Sequence, residues 1–295
     1  MYSERFIQYI TFEKRYSPNT IIAYQKDLYQ FFDYIASEYN IKNIHDINHS
    51  IIRSWIVHLA NDSISSRSIN RKLSTLKTFY KFLLKENLIK QNPLTKILPP
   101  KTKKRLPEFV NREKMDLLFD QVEFGDNFRG IRDKLIIEIF YFTGIRLSEM
   151  TNLTDTDVDI KNLKVKVLGK RNKERIIPFC NELRDLIIQY KEVRNKEIEI
   201  TEPVDYFIVT EKGKKIYKKL VYRIVNSYLS KVSTLQKKSP HVLRHTFATH
   251  MLNNGADLNA IKEILGHANL AATQIYTHNT IEKLKTIYKQ AHPRA

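Results

Sequence analysis

Four short windows of this chain hold residue types capable of chemistry. In HVLRHTFATH (241–250), His241 and Arg244 are three apart, so a helix would put them on one face. His241 and His245 also have the four-residue spacing of a zinc helix. That chemistry needs a Glu directly after the first His as general base, and Val242 stands there. With no cysteine cluster to supply a further ligand, no metal site is expected; His245 and His250 read as packing or surface residues. In LGHANLAATQIYTH (265–278), His267 follows a glycine that ends a helix, and Tyr276 lies nine residues on. In TGIRLSE (143–149), Arg146 follows a glycine at the end of an apolar helix, with Glu149 three residues later to hold its side chain. In LGKRNKER (168–175), Lys170 sits at a hairpin tip, where it is mobile enough to reach into a groove. Taken singly, each window also has an ordinary reading: a core tyrosine, a buried Arg–Glu pair, a solvated turn.

The elements that carry these windows fall on either side of PPKTKKRLP (99–107). Its prolines block helix and sheet, and four of the residues between them are basic, so it reads as an extended charged linker. Before it, residues 1–98 read as four helices. Ser17-Pro18 is an N-cap followed by proline at the first helical position. Apolar residues then recur at three- and four-residue steps from Ile21 to Ile35, from Ile51 to Leu59 and from Ile69 to Leu83. A shorter helix is expected near 6–10. The last stripe carries Arg67, Arg71, Lys72 and Lys77 on its other faces, a candidate basic surface for a DNA groove as well as an ordinary solvated face. After the linker, 108–295 reads as α-rich. Helices are expected at 111–119, 128–142, 182–196, 217–235, 241–253, 258–265, 270–277 and 280–290. Strands are expected at 165–168 and 175–178, with a possible further one at 206–209. The fold class is therefore mainly α with a small β-sheet.

Composition narrows the class of partner. Lys and Arg number 50 against 32 Asp and Glu, a net charge of +18. The excess is +6 over residues 1–100 and +12 over 101–295. A Lys-, Ile- and Asn-rich chain also arises from AT-rich coding, but a charge this large on both halves favours a polyanion, nucleic acid first. A membrane surface is not favoured, because no helix sets a basic face against a bulky apolar one. The single cysteine, Cys180, excludes a disulfide scaffold. The apolar run at 135–142 is interrupted by Glu138 and too short to span a bilayer. The first residues lack the apolar core of a signal peptide, and a cytoplasmic protein is expected.

Together the ordered motifs TGIRLSE, GKRNKER, HVLRHTFATH and LGHANLAATQIY resemble the tyrosine recombinases of the phage-integrase superfamily. Length and layout resemble the Xer recombinases of bacteria, with EKRYSPNTIIAYQKDL similar to the start of their core-binding domain. The resemblance implies an N-terminal SAM-like, DNA-binding domain of four helices and an α-rich catalytic domain ending in a subunit-exchange helix. It implies that Arg146 and Arg244 are the catalytic arginines, Lys170 the catalytic lysine, His241 and His267 the catalytic histidines and Tyr276 the nucleophile. Arg171 departs from the glycine often found after the lysine, and it adds a candidate DNA contact.

That residue set suits attack on a phosphodiester. Forked guanidiniums grip non-bridging oxygens. A tyrosine with a pKa of about 10 needs a base or a strongly positive site. His241 or His267 can take its proton, and Lys170 can protonate the leaving 5′-oxygen. The resemblance implies no cofactor, no metal and no ATP, because a 3′-phosphotyrosine conserves the bond energy. The partners it implies are double-stranded DNA, a homo- or hetero-tetramer with a second Xer-like recombinase, and a DNA translocase of the division machinery. The role it favours is chromosome dimer resolution, against integration or inversion of a mobile element, topoisomerase-like relaxation, or DNA binding without catalysis. The apolar stripe Ile281, Leu284, Ile287 and Tyr288 is expected to dock on a neighbouring subunit, with docking on its own domain as the alternative.

Overall fold

The computed structural model describes residues 2–102, 108–169, 173–200, 205–266 and 278–294. The chain divides into two compact units, Met1–Arg105 and Leu106–Ala295. The linker residues 103–107 and the expected helix at 270–277 lie outside the described residues.

The first unit is a helical bundle: α1 (Tyr2–Gln8), continued by a π-helical turn at Tyr9–Glu13, then α2 (Pro18–Tyr39), α3 (His49–Asn61) and α4 (Ser66–Lys85). Each of the longer helices starts on a side-chain cap. Ser17 accepts from the Thr20 amide, Asn48 from those of Ser50 and Ile51, and Ser65 from that of Ser68. The apolar stripes meet in one core around Phe6, Phe31, Trp55, Leu76 and Phe79. The Phe31 and Trp55 rings meet edge to face with centroids 5.0 Å apart.

Helix α4 corrects the expected basic surface at one position. Arg67 and Lys77 are exposed, but Lys72 is buried and donates to Asp27, 3.1 Å away, and to Gln30. Asp27 is itself buried and also accepts from Arg71 and from the Thr75 hydroxyl. Lys72 lies three residues after Ile69 and four before Leu76, so it belongs to the core-facing stripe. A buried ammonium persists only with a counter-ion, which Asp27 supplies.

The second unit contains α5 (Arg112–Asp120), α6 (Phe128–Thr143), α7 (Leu147–Met150), β1 (Val158–Asp159), β2 (Lys164–Leu168), β3 (Glu174–Pro178), α8 (Asn181–Glu197), α9 (Lys218–Val232), α10 (Pro240–Asn253), α11 (Leu258–Leu265) and α12 (His278–Ala291). Helix α6 is buried along nearly its whole length, which explains its lack of a polar face. The strands form an antiparallel sheet in the order β1-β2-β3, with Val165 opposite Ile177 and Val167 opposite Arg175. The two-residue β1 has no sequence signature. Segment 206–209 is not a strand: Tyr206 and Val209 make isolated bridges to Thr154 and Lys215.

In this chain the tail packs on its own domain, the alternative named above. Leu284, Tyr288 and Ala291 are buried in the core of their own domain. Asn254 Nδ2 donates to the Ala291 carbonyl at 2.9 Å, and Arg294 pairs with Asp120 at 2.8 Å. His292 is buried among Tyr141, Phe142, Phe247 and Tyr288, with Nε2 3.2 Å from the Tyr141 carbonyl. Burial, with the charges of His250 and Arg294, pushes the His292 imidazole down to about 3. The folded state therefore favours neutral His292. The stability this gives is present above the ordinary pKa near 6.5 and lost as pH falls toward 3, at about 1.4 kcal/mol per pH unit. Replacing His292 by Phe should flatten the fall of the thermal midpoint between pH 6.5 and 4.5; equal slopes in both proteins would contradict a buried neutral imidazole.

Candidate active site

The site forms where α6 ends, α7 begins and α10, α11 and β3 converge. Helix α6 terminates at Gly144, whose φ of 59° is left-handed; a Cβ there would lie 2.5 Å from Phe247 Cδ1. Glycine is thus required by conformation and by the close approach of α10. Two residues on, Arg146 is the N-cap of α7, and Glu149 Oε2 accepts its amide at 2.9 Å.

The same carboxylate orders two guanidiniums. Glu149 Oε1 accepts from Arg146 Nη1 at 2.6 Å and from Arg175 Nη1 at 2.7 Å; Oε2 accepts from Arg175 Nη2 at 2.8 Å. Burial alone would raise the Glu149 carboxyl, but hydrogen bonds and charge from Arg175, then from Arg146, bring it down to about 2. It is ionised at any physiological pH. Arg175 is 4% exposed, and removing it would leave the buried carboxylate to Arg146 alone.

Arg244, one turn into α10, is also buried. Nη1 donates to the Gly144 carbonyl and Nη2 to that of Leu265 at 2.7 Å. Burial, then the charges of Arg146 and Arg175, push its guanidinium down to about 9. It stays protonated at neutral pH, but in a setting that an anion would relieve. Arg146 Nη2 donates to the Gly266 carbonyl at 2.7 Å, and its side chain is 27% exposed. Each guanidinium carries five N–H donors. The bonds named above occupy two on Arg244 and two on Arg146, which leaves donors on both for a ligand. Three arginines against one carboxylate make a positively charged cluster suited to a phosphate.

The structure therefore brings Arg146 and Arg244 together. His241 lies exposed in the first turn of α10, one turn before Arg244 on the same helix. Lys170, Arg171, His267 and Tyr276 lie outside the described residues. Arg67, Arg71, Lys72 and Lys77 belong to the first unit. His250 packs inside, with Nδ1 3.1 Å from the Tyr141 hydroxyl, while His245 is partly buried. Among the described residues no group of three His, Cys, Asp or Glu is placed to hold a metal ion. Arg175 joins the site although it is not among the residues expected there from sequence. Its signal was present: strand alternation puts it on the same inward face as Ile177, where an arginine is out of place without a partner.

Comparison with known proteins identifies the family. Residues 108–283 match the phage integrase family, and residues 3–87 match the phage integrase N-terminal SAM-like domain. The chain belongs to the phage integrase family and is a site-specific tyrosine recombinase. Among its relatives is the tyrosine recombinase XerC of Chlorobaculum tepidum, 37% identical over 314 residues, covering 98% of this chain and 94% of that protein. The tyrosine recombinase XerC of Staphylococcus epidermidis is 39% identical over 293 residues, covering 99% and 97%. The fold matches XerH recombinase in a post-cleavage complex with palindromic difH DNA, with a TM-score of 0.73 at 20% identity, covering 99% of this chain and 82% of that one. It also matches the Tn1549 transposon integrase bound to circular-intermediate DNA, with a TM-score of 0.71 at 18% identity, covering 96% and 98%.

Proposed function

We propose that this protein cuts and rejoins duplex DNA at a defined site through a covalent 3′-phosphotyrosine on Tyr276, and that its cellular task is chromosome dimer resolution. The observation that carries the chemistry is the convergence of Arg146 and Arg244, both fixed by buried partners and both with donors to spare. Similarity to proteins named XerC over nearly the whole chain supports the cellular role.

In this reading the Tyr276 oxygen attacks the scissile phosphorus and gives its proton to His241 or His267. Arg146 and Arg244 hold the non-bridging oxygens as charge builds on them. The bond from phosphorus to the 5′-oxygen breaks, and Lys170 supplies that oxygen's proton. The 5′-hydroxyl of a second duplex then attacks the phosphotyrosine and returns the tyrosine. On the first unit, exposed Arg67 and Lys77 and half-exposed Arg71 serve as backbone contacts, with Arg171 adding one from the hairpin. The active assembly is a tetramer on DNA, with a second copy or a related recombinase, served by a DNA translocase of the division machinery in the cytoplasm. Among the described residues no helix is long and apolar enough to cross a membrane.

The test is a supercoiled plasmid carrying two copies of a candidate site from the organism's replication terminus, in excess EDTA. The expected product is recombinant junctions at the site, with no requirement for metal or ATP. Relaxed circles from plasmids lacking the site would indicate a topoisomerase. Loss of cleavage restored by magnesium or zinc would overturn the mechanism.

A further inference from the structure

The C-terminal end of α11 is held in an unusual way. Its last carbonyls and that of its glycine cap each accept from a different arginine: Ile264 from Arg175 Nε at 2.7 Å, Leu265 from Arg244 Nη2 at 2.7 Å and Gly266 from Arg146 Nη2 at 2.7 Å. These are the carbonyls a helix leaves unsatisfied, at the negative end of its dipole. Two of the donors are the proposed catalytic arginines. The third, Arg175, is buried and donates three side-chain hydrogen bonds.

Arg175 reaches each part of the site. Through both oxygens of Glu149 it fixes the carboxylate that orients Arg146. Its side chain packs under Gly266: a Cβ there would lie 3.0 Å from Arg175 Cδ and 3.1 Å from Nε, at a φ of 65°. It also packs against Gly169, where a Cβ would lie 3.6 Å from Nη1. Gly169 immediately precedes Lys170 in sequence, and Gly266 immediately precedes His267. One planar, rigid side chain thus sets the backbone from which Lys170 and His267 depart and the carboxylate on which Arg146 rests. Lysine, a point charge on a flexible stem, has neither the fork nor the shape for this.

We propose that Arg175 is a positioning residue for strand transfer: by tying Glu149 to the α11 C-terminus it aligns Arg146 on the scissile phosphate and fixes the starting points of the Lys170 and His267 segments. The inference rests on the assignment of Arg146, Lys170 and His267 given above.

The test uses the full chain with Arg175→Lys, which keeps the charge in the buried site, and Arg175→Gln as a second variant. Thermal midpoint and half-site binding select folded, DNA-competent protein, and rates are taken per bound complex. Two nicked suicide substrates are compared: an ordinary one, and one whose scissile phosphate is a methylphosphonate, which lacks one non-bridging charge and so has less need of an aligned guanidinium. On ordinary DNA, Arg175→Lys should form covalent adduct about 10²-fold more slowly than wild type, the scale of a misplaced catalytic group, with half-site binding within about twofold. On the methylphosphonate the deficit should be clearly smaller. A wild-type rate on ordinary DNA, or an equal deficit on both substrates, would reduce Arg175 to a structural residue and overturn the proposal. The wild-type protein's own adduct on ordinary DNA tests the recombinase mechanism separately, so the two failures are distinguishable.

Discussion

A Tyr276→Phe chain should bind its half-site as wild type does and form no covalent adduct. The substitution removes one oxygen and keeps the ring, so any packing role survives and only the nucleophile is lost. The expected effect is complete, because a phenyl ring has no atom that can attack phosphorus. A denaturing gel of a nicked suicide substrate reads the result, with a native gel as the binding control. Adduct from the mutant would mean that another of the 16 tyrosines carries the chemistry.

Changing Arg244 to Lys should have the next largest effect. The side chain is 8% exposed and its fork spans the Gly144 and Leu265 carbonyls, so its unused donors point where the neighbouring helix ends put them. Lysine keeps a charge there but offers no fork. Removing one such preorganised donor typically costs about 10²–10³ in rate. Cleavage per bound complex should fall by about that factor, while half-site affinity, spread over many phosphate contacts, changes by less than about threefold. A loss confined to binding would place Arg244 outside the chemistry.

The helices were legible because their periodicity and caps are local. The 3.6-residue stripes of α2, α3 and α4 and the Ser17, Asn48 and Ser65 caps are written in adjacent residues. Arg146, Glu149 and Arg244 were legible because two of them closely follow a helix-ending glycine and the third sits in a distinctive motif. What pairs across long sequence separations was not legible. Lys72 meets Asp27, 45 residues away, and Arg175 meets the Ile264 carbonyl, 89 residues away; nothing in either neighbourhood names the partner. In both cases the pattern did hold a warning, a cation at a core-facing register. The tail illustrates a different limit. Its apolar face was plain from Leu284 and Tyr288, but an apolar face states only that it is covered. Tyr141, Phe142 and Phe247, which pack against His292 in this chain, lie far from it in sequence.

The proposed mechanism joins this chain to DNA through Tyr276. It is tested most directly by trapping the wild-type adduct on a suicide substrate, digesting it with a protease and sequencing the DNA-linked peptide by mass spectrometry. The expected result is one modified peptide, containing Tyr276, attached to the 3′-phosphate side of the break. A different tyrosine, a 5′-linkage, or no adduct on any site the protein binds would contradict it.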